Sequence, residues 1–207
     1  MRATPAHHAV VCSACGLRFP VPVDDDRYGT CPLCEAPTTV AADYPKPVAP
    51  PNAASLESEI VVVLDNVRSA MNVGTILRTA DGARVPHAYL CGITPSGDNP
   101  KVAKTALDAE RLVSWSHHVD AVECCRSLAA DGYELWAVEA TPGSVDYLAR
   151  SAPARVAVIV GNERAGIDPG VLALADQVIH LPMAGAKTSL NVAVAFGVAA
   201  YGLRANR

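Results

Sequence analysis

The 207-residue sequence has few charged and few aromatic residues, and it has no long apolar run. Charged residues make up 18% of the chain and hydrophobic residues 50%, which is typical of a folded globular protein and argues against disorder. No apolar stretch approaches the roughly 20 residues that span a bilayer, and the first residues lack the apolar segment of a signal peptide. We therefore expect a soluble cytoplasmic protein with no membrane partner.

Glycine-rich nucleotide-binding patterns and a strong positive charge are also missing. The sequence contains no Gly-x-Gly-x-x-Gly pattern, and the Lys-Thr pair at 187–188 lacks the glycine spacing of a phosphate-binding loop. Both absences argue against NAD and nucleoside triphosphate chemistry. The formal net charge of −4 argues only weakly against a nucleic-acid partner, because a local basic patch is compatible with it.

Four of the seven cysteines form two Cys-x-x-Cys pairs, with residues 16–30 between them. Each pair can direct two thiolates to one ion, and two pairs complete a tetrahedral Zn²⁺ site. Four thiolates leave no open coordination position, so we predict one structural zinc per chain and a zinc-ribbon-like module over residues 1–42. The alternative is two unrelated thiol pairs. The predicted ligands are Cys12, Cys15, Cys31 and Cys34.

Prolines at 45, 47, 50 and 51 predict a semi-rigid linker over residues 43–55. From residue 56 to 207, short β-rich runs alternate with helical patterns, which predicts an α/β fold with a parallel sheet flanked by helices. The predicted strands are Ile60–Leu64, His87–Cys91, Leu135–Glu139, Val156–Val160 and Gln177–Leu181. The predicted helices are Val73–Asp81, Pro100–Ala106, Ala121–Asp131, Val145–Arg150, Pro169–Leu174 and Leu190–Leu203.

Polar residues follow several of the predicted strands. Asp65 and Asn66 come after the first strand, Glu139 ends the third, and Asn162 and Glu163 come after the fourth. Ligands in open α/β sheets bind beyond the carboxyl ends of the strands. The pattern therefore predicts a ligand site at that edge.

Three polar residues stand in otherwise apolar stretches. Asn72 is a candidate cap for a helix from Val73, and Arg78 projects off the apolar face of that helix. Asn191 lies in the first turn of a helix that is apolar nearly all round and hence predicted to be buried, so its amide needs a fixed partner. Ordinary roles as a surface arginine and as helix caps remain open for these residues.

Three stretches together resemble the motifs of the SPOUT superfamily of RNA methyltransferases, TrmH (SpoU) branch. The resemblance covers roughly residues 58 to 204 and leaves out the cysteine module. The motifs are Asn72-x-Gly74-x3-Arg78-Thr79-Ala80, then Gly161-Asn162-Glu163-x2-Gly166-Ile167, then Leu181-Pro182-Met183-x5-Ser189-Leu190-Asn191-Val192.

The resemblance implies a deep C-terminal trefoil knot that binds S-adenosylmethionine, an exception to the rule that chains do not thread loops. The cofactor would lie between three loops, Val138–Thr141, Gly161–Gly166 and Leu181–Leu190. Gly161 would let the backbone approach the cofactor, because glycine has no Cβ. The residues implied to bind the cofactor are Val138, Gly161, Gly166, Leu181, Met183, Ser189 and Leu190.

The resemblance also implies methyl transfer to a ribose 2′-hydroxyl of tRNA or rRNA. Arg78 would act with an RNA phosphate, either accepting the proton or stabilising the alkoxide, and Asn72, Glu163 and Asn191 would position it and the ribose. Ser189 would line the pocket near the methyl donor. Members of the family work as homodimers whose active sites draw on both chains. The alternatives are an adaptor that binds RNA without catalysis and a base methyltransferase of another SPOUT branch.

Overall fold

The structure is a computed structural model that describes residues 7–23, 29–45 and 58–206. The chain divides into two compact units, residues 1–53 and 54–207. Most of the predicted linker lies outside the described residues, so the domain boundaries at 42, 55 and 56 stay predictions. No helix in the described ranges is long and apolar enough to cross a membrane.

The first unit contains a three-stranded antiparallel sheet in the order β2-β1-β3. The strands are β1, His7–Cys12; β2, Arg18–Pro22; and β3, Thr38–Asp43. The buried apolar side chains of its described part are few and small, namely Ala9, Val10 and Val21 beside two of the cysteines. Such a core is too small to stabilise a fold of this size without a crosslink or a metal ion.

The second unit is built on a seven-stranded sheet in which every neighbouring pair of strands is parallel. The strand order is β6-β5-β4-β9-β7-β10-β8. Its central strands are continuous apolar runs because both faces of the sheet are covered. The strands are β4, Glu59–Asp65; β5, His87–Cys91; β6, Ser114–His118; β7, Glu134–Val138; β8, Val145–Asp146; β9, Arg155–Val160; and β10, Gln177–His180.

Helices cover both faces of this sheet, as the predicted α/β fold requires. Alternate residues of β4 point to opposite faces, so Val62 packs in one core and Val61 in the other. The helices are α1, Ala70–Gly82; α2, Pro100–Ala106; α3, Ala121–Ala130; α4, Pro169–Leu172; and α5, Val192–Ala205. Most buried residues of α1, α2 and α5 belong to the first core, and those of α3 and α4 to the second. The predicted fold class is confirmed, while the trefoil knot stays a prediction.

The predicted helix Val145–Arg150 is wrong. Val145 and Asp146 form β8, which pairs in parallel with the end of β10, and the Tyr147 backbone N–H donates to the His180 carbonyl at 3.1 Å. The end of β10 supplies hydrogen-bond partners for the backbone of this segment, while Val145 and Tyr147 pack against the core. Strand β6 was not predicted, because its Ser-Trp-Ser-His-His sequence is polar and it lies at the edge of the sheet.

Both motif-bearing helices begin at other residues than predicted. Helix α1 is capped by Ser69, whose hydroxyl accepts from the Asn72 backbone N–H at 3.4 Å, so Asn72 lies in the first turn and is not the cap. Helix α5 begins at Val192 and is capped by Asn191. The predicted start at Leu190 was wrong because an asparagine favours the cap over the helix interior.

Candidate active site

A cavity of about 470 Å³ opens at the carboxyl ends of β7, β9 and β10. The loops that follow these strands form its walls, which agrees with the position of ligand sites in parallel sheets. Seven residues predicted to bind the cofactor all line it: Val138, Gly161, Gly166, Leu181, Met183, Ser189 and Leu190. Glu163 and Asn191 line it as well.

Asn162 folds the loop that follows β9. Its backbone N–H and carbonyl pair with those of Gly166, at 3.0 and 2.9 Å. Its side-chain oxygen accepts from the backbone N–H of Arg164 at 3.0 Å and of Ala165 at 3.1 Å. Its side-chain amide donates to the Asn66 carbonyl at 2.8 Å, which ties the loop to the end of β4.

The two glycines of this loop are required by its own backbone. A Cβ on Gly161 would lie 2.5 Å from the Gly166 carbonyl and from the Ile167 nitrogen. Gly166 has a φ of +78°, and a Cβ there would lie 2.6 Å from Oε2 of Glu139. The closing of the loop therefore accounts for Gly161 independently of any cofactor.

The Glu163 carboxylate is held by three donors at the start of α1. Oε2 accepts from the Arg68 backbone N–H at 2.9 Å, and Oε1 accepts from the Ser69 backbone N–H at 3.0 Å and the Asn72 side-chain amide at 2.8 Å. Burial alone would raise the pKa of Glu163, but these hydrogen bonds outweigh it and lower the pKa below its ordinary value. Glu163 is therefore ionised at neutral pH and holds the start of α1 as a hydrogen-bond acceptor.

Asn191 joins the third motif to the first. Its side-chain amide donates to Oδ1 of Asn72 at 3.0 Å, and its own Oδ1 accepts from the backbone N–H groups of Ala193 and Val194 at the start of α5. Asn72 is thus the partner that the Asn191 amide was expected to have. Asn191 itself is exposed, so the expected burial of this amide was wrong.

Of the predicted catalytic residues, Asn72 does not line the cavity itself, and neither does Arg78. Arg78 is exposed on α1, and within the described part of the chain its guanidinium forms no hydrogen bond or ion pair. Asn72 reaches the cavity lining through its bonds to Glu163 and Asn191. A single chain therefore brings together every predicted catalytic residue except Arg78.

Three ionisable residues of the cavity were not among the predicted site residues, namely Glu139, Arg164 and His180. Glu139 accepts from the backbone N–H groups of Ala140 and Ile167, both at 3.2 Å. The His180 ring shares a hydrogen bond of 3.0 Å with the Ser144 hydroxyl. Glu139 could have been predicted from its position at the end of a predicted strand. His180 lies at the end of β10, and no pattern in the sequence around it indicates a site residue.

The four cysteines of the first unit form a cluster. The Sγ atoms of Cys12 and Cys34 lie 3.5 Å apart and those of Cys15 and Cys31 lie 3.6 Å apart, and all four sulfurs lie within 4.8 Å of one another. A zinc ion with four sulfurs at about 2.3 Å requires neighbouring sulfurs about 3.8 Å apart. Backbone N–H groups point to Sγ of Cys12 and Cys31 at 3.4 Å, as thiolate ligands favour. The arrangement fits a tetrahedral thiolate site.

The parallel sheet and the loop-lined cavity at its carboxyl edge define an α/β protein built to hold a small ligand. The family model of the SpoU rRNA methylases matches residues 59–201. The chain therefore belongs to the SpoU rRNA methylase family. This confirms the predicted family and the predicted class of enzyme, an RNA methyltransferase.

Individual relatives agree with this family. The tRNA (guanosine(18)-2′-O)-methyltransferase of Thermus thermophilus is 32% identical over 142 residues, which cover 69% of this chain and 72% of that one. The 23S rRNA (guanosine(2553)-2′-O)-methyltransferase RlmP of Bacillus subtilis is 31% identical over 70% of this chain and 57% of its own length. The AdoMet-bound rRNA methyltransferase of Sinorhizobium meliloti superposes with a TM-score of 0.68 at 30% identity, over 72% of this chain and 57% of that one.

Proposed function

We propose that this protein transfers a methyl group from S-adenosylmethionine to a ribose 2′-hydroxyl of tRNA or rRNA. The observation that supports this most directly is the hydrogen-bonded series Glu163–Asn72–Asn191, which joins the three motifs beside the cavity. The Thermus relative is a tRNA 2′-O-methyltransferase and the Bacillus relative a 23S rRNA 2′-O-methyltransferase. We further propose that the protein works in the cytoplasm.

The cavity fits S-adenosylmethionine in size and in charge. Its volume of about 470 Å³ lies in the range of small-molecule sites, which is roughly 300–1,000 Å³. Glu139, Glu163 and Arg164 line it, so residues of both signs face a ligand that carries a sulfonium, an ammonium and a carboxylate group. The loops around Val138, Gly161 and Leu181 would hold this cofactor, which supplies an electrophilic methyl group when bound.

The chain must remove the proton of the attacking hydroxyl, which is a poor nucleophile. A guanidinium is a cationic donor and a poor base, so the role of Arg78 is to stabilise the developing alkoxide and to orient an RNA phosphate that accepts the proton. Asn72 and Asn191 fix the start of α1 against the cavity, and Glu163 anchors both. Ser189 lines the cavity on the side of the methyl donor.

A second copy of the chain would cover an apolar surface formed by α1 and α5. On this surface, Met71 is 66% exposed, Val194 is 50% exposed and Tyr201 is 53% exposed. Exposed apolar side chains that lie together, and not singly, are typical of a protein interface. Arg78 lies on the exposed side of α1, so in a homodimer it would be directed to the cavity of the partner. This arrangement would explain why Arg78 does not line the cavity of its own chain.

The cysteine cluster would hold one structural Zn²⁺ through Cys12, Cys15, Cys31 and Cys34. The support is the sulfur geometry and the small apolar core of the described part of this unit. The zinc takes no part in methyl transfer, because four thiolates leave no position for a substrate.

The Arg78→Ala variant tests the function. Alanine removes the group that acts in the transition state and leaves the cavity walls intact, so the affinity for S-adenosylmethionine should stay unchanged. Methyl transfer to unfractionated RNA from cells lacking the gene should fall on the order of 10²–10⁴-fold. Cofactor binding is measured by calorimetry and transfer by the labelled methyl group. Full activity in Arg78→Ala would refute the mechanism.

A further inference from the structure

Glu110 is a buried carboxylate that lacks a partner for one of its oxygens. It lies in the short 3-10 turn Ala109–Arg111 that follows α2, and its side chain is only 9% exposed. Oε2 is fully buried and has no hydrogen-bond partner in the described part of the chain. Oε1 lies 3.7 Å from Nε of Arg111, whose side chain is 79% exposed. A buried acceptor without a donor is unfavourable, so Oε2 of Glu110 calls for a donor that reaches it in a working state of the protein.

The packing of α1 and α2 indicates which donor this is. Gly74 of α1 contacts α2 so closely that a Cβ would lie 2.4 Å from the Val102 carbonyl. Arg78 follows Gly74 by four residues, and residues four apart lie on the same side of a helix. Both helices run from the carboxyl edge of the sheet towards its amino edge, so the turn after α2 lies beside the second half of α1. Arg78 therefore lies at the exposed margin of the side of α1 that packs against α2 and the turn containing Glu110.

We propose that Glu110 is a positioning residue for Arg78. The exposed Arg78 side chain has no partner in the described part of the chain, and it rotates so that its guanidinium donates to the free Oε2 of Glu110. Arginine presents five N–H donors in a rigid plane, so one edge of the group binds Glu110 and the other stays available for RNA. The pairing concerns this chain alone, while its effect on methyl transfer rests on the proposed function.

The Glu110→Gln variant removes the charge and keeps the shape. We expect kcat for methyl transfer to fall about 10–10²-fold, with the S-adenosylmethionine affinity and the thermal unfolding midpoint unchanged. Glu110→Met, which leaves no buried acceptor, should lose the same activity and unfold no earlier than the wild type. Glu123→Gln is the matched control, because Glu123 is an exposed carboxylate on α3, paired with Arg126, and its loss should change nothing. Arg111→Gln should also leave kcat unchanged. A loss equal to that of Glu110→Gln would mean that Glu110 acts through Arg111 and not through Arg78.

A double-mutant cycle separates positioning from a structural role. In an Arg78→Ala background, Glu110→Gln should cause no further loss of rate, because its effect passes through Arg78. If the rate losses of the two single variants multiply in the double variant, Glu110 acts independently of Arg78 and the proposal is overturned.

A second measurement does not depend on activity. The Nε–Hε signal of Arg78 in the nuclear magnetic resonance spectrum, assigned by its absence in Arg78→Ala, should shift and exchange faster with water in Glu110→Gln. An unchanged signal would overturn the pairing. If the wild type methylates no RNA, the proposed function fails. The Arg78 signal still shows whether Arg78 pairs with Glu110.

Discussion

The side-chain amide of Asn191 donates a 3.0 Å hydrogen bond to Oδ1 of Asn72, across 119 residues of chain. The same side chain caps α5 with its oxygen, which accepts from the Ala193 backbone N–H at 2.9 Å. One residue thus ends a cavity loop, starts a helix and holds the first turn of α1. These roles use different atoms, so substitution can separate them.

Asn191→Asp should separate the cap from the link to Asn72. Aspartate keeps the oxygen that caps α5, but it places a carboxylate where Asn72 needs a donor. We expect thermal stability close to that of the wild type and a methyl-transfer rate lower by about tenfold or more. Asn191→Ala loses the cap as well and should be destabilised by about 1 kcal/mol. Equal activity of Asn191→Asp and the wild type would show that the link has no role in catalysis.

Glu163→Gln should alter how stability depends on pH. The folded state lowers the pKa of Glu163 below its ordinary value of 4.5, so its ionised form contributes stability above pH 4.5, and this contribution is lost as the pH falls through the folded pKa. The wild type should therefore be more stable than Glu163→Gln at pH 7, and the two should converge below pH 4.5. Urea unfolding at a series of pH values measures this, and a constant difference down to pH 3 would contradict the pKa shift.

The sequence predicted the sheet and the cavity edge well because both follow from local patterns. Val156–Val160 is a continuous apolar run, and the glycine and polar residues after it must lie at the carboxyl end of a parallel strand. Prediction from the sequence failed where tertiary contacts determine the secondary structure. The segment from Val145 is apolar enough for either a helix or a strand, and its pairing with the end of β10 selects the strand.

The candidate site was predicted by motif and completed by structure. The bond between Asn72 and Asn191 joins residues far apart in sequence, and no local pattern predicts it. Glu110 was missed for a similar reason. Its sequence context is that of a surface glutamate, and only the folded chain shows that its Oε2 is buried.

Gly161→Ala should disrupt the cavity wall. The added methyl group would lie 2.5 Å from backbone atoms of Gly166, which cannot move aside as a flexible side chain could. We expect at least a tenfold loss of S-adenosylmethionine affinity, measured by calorimetry. The matched control is Gly185→Ala in the loop after β10, where an added Cβ meets nothing within 4 Å. Equal loss in both variants would mean that the loops are sensitive to any change.

The cysteine cluster should contain about one Zn²⁺ per chain when the protein is purified without a chelator. Cys31→Ser should release the metal and loosen residues 1–40, while the second unit stays folded. Cys91→Ser is the control, since Cys91 is buried in the sheet of the second unit and has no place in the cluster. Elemental analysis and limited proteolysis follow both effects, and metal-free wild-type protein would exclude the zinc site.

Val198→Glu should prevent pairing of two chains through α1 and α5. Val198 is 37% exposed between Val194 and Tyr201 on the apolar side of α5, so a glutamate there is tolerated in a monomer but introduces an unpaired charge into a dimer interface. We expect light scattering to show a dimer for the wild type and a monomer for the variant. Methyl transfer should fall together with dimerisation, because Arg78 lies outside the cavity of its own chain. Val119→Glu is the control, since Val119 is 91% exposed and lies on neither helix. A monomeric wild type with full activity would contradict the shared active site and would leave Arg78 to act within its own chain.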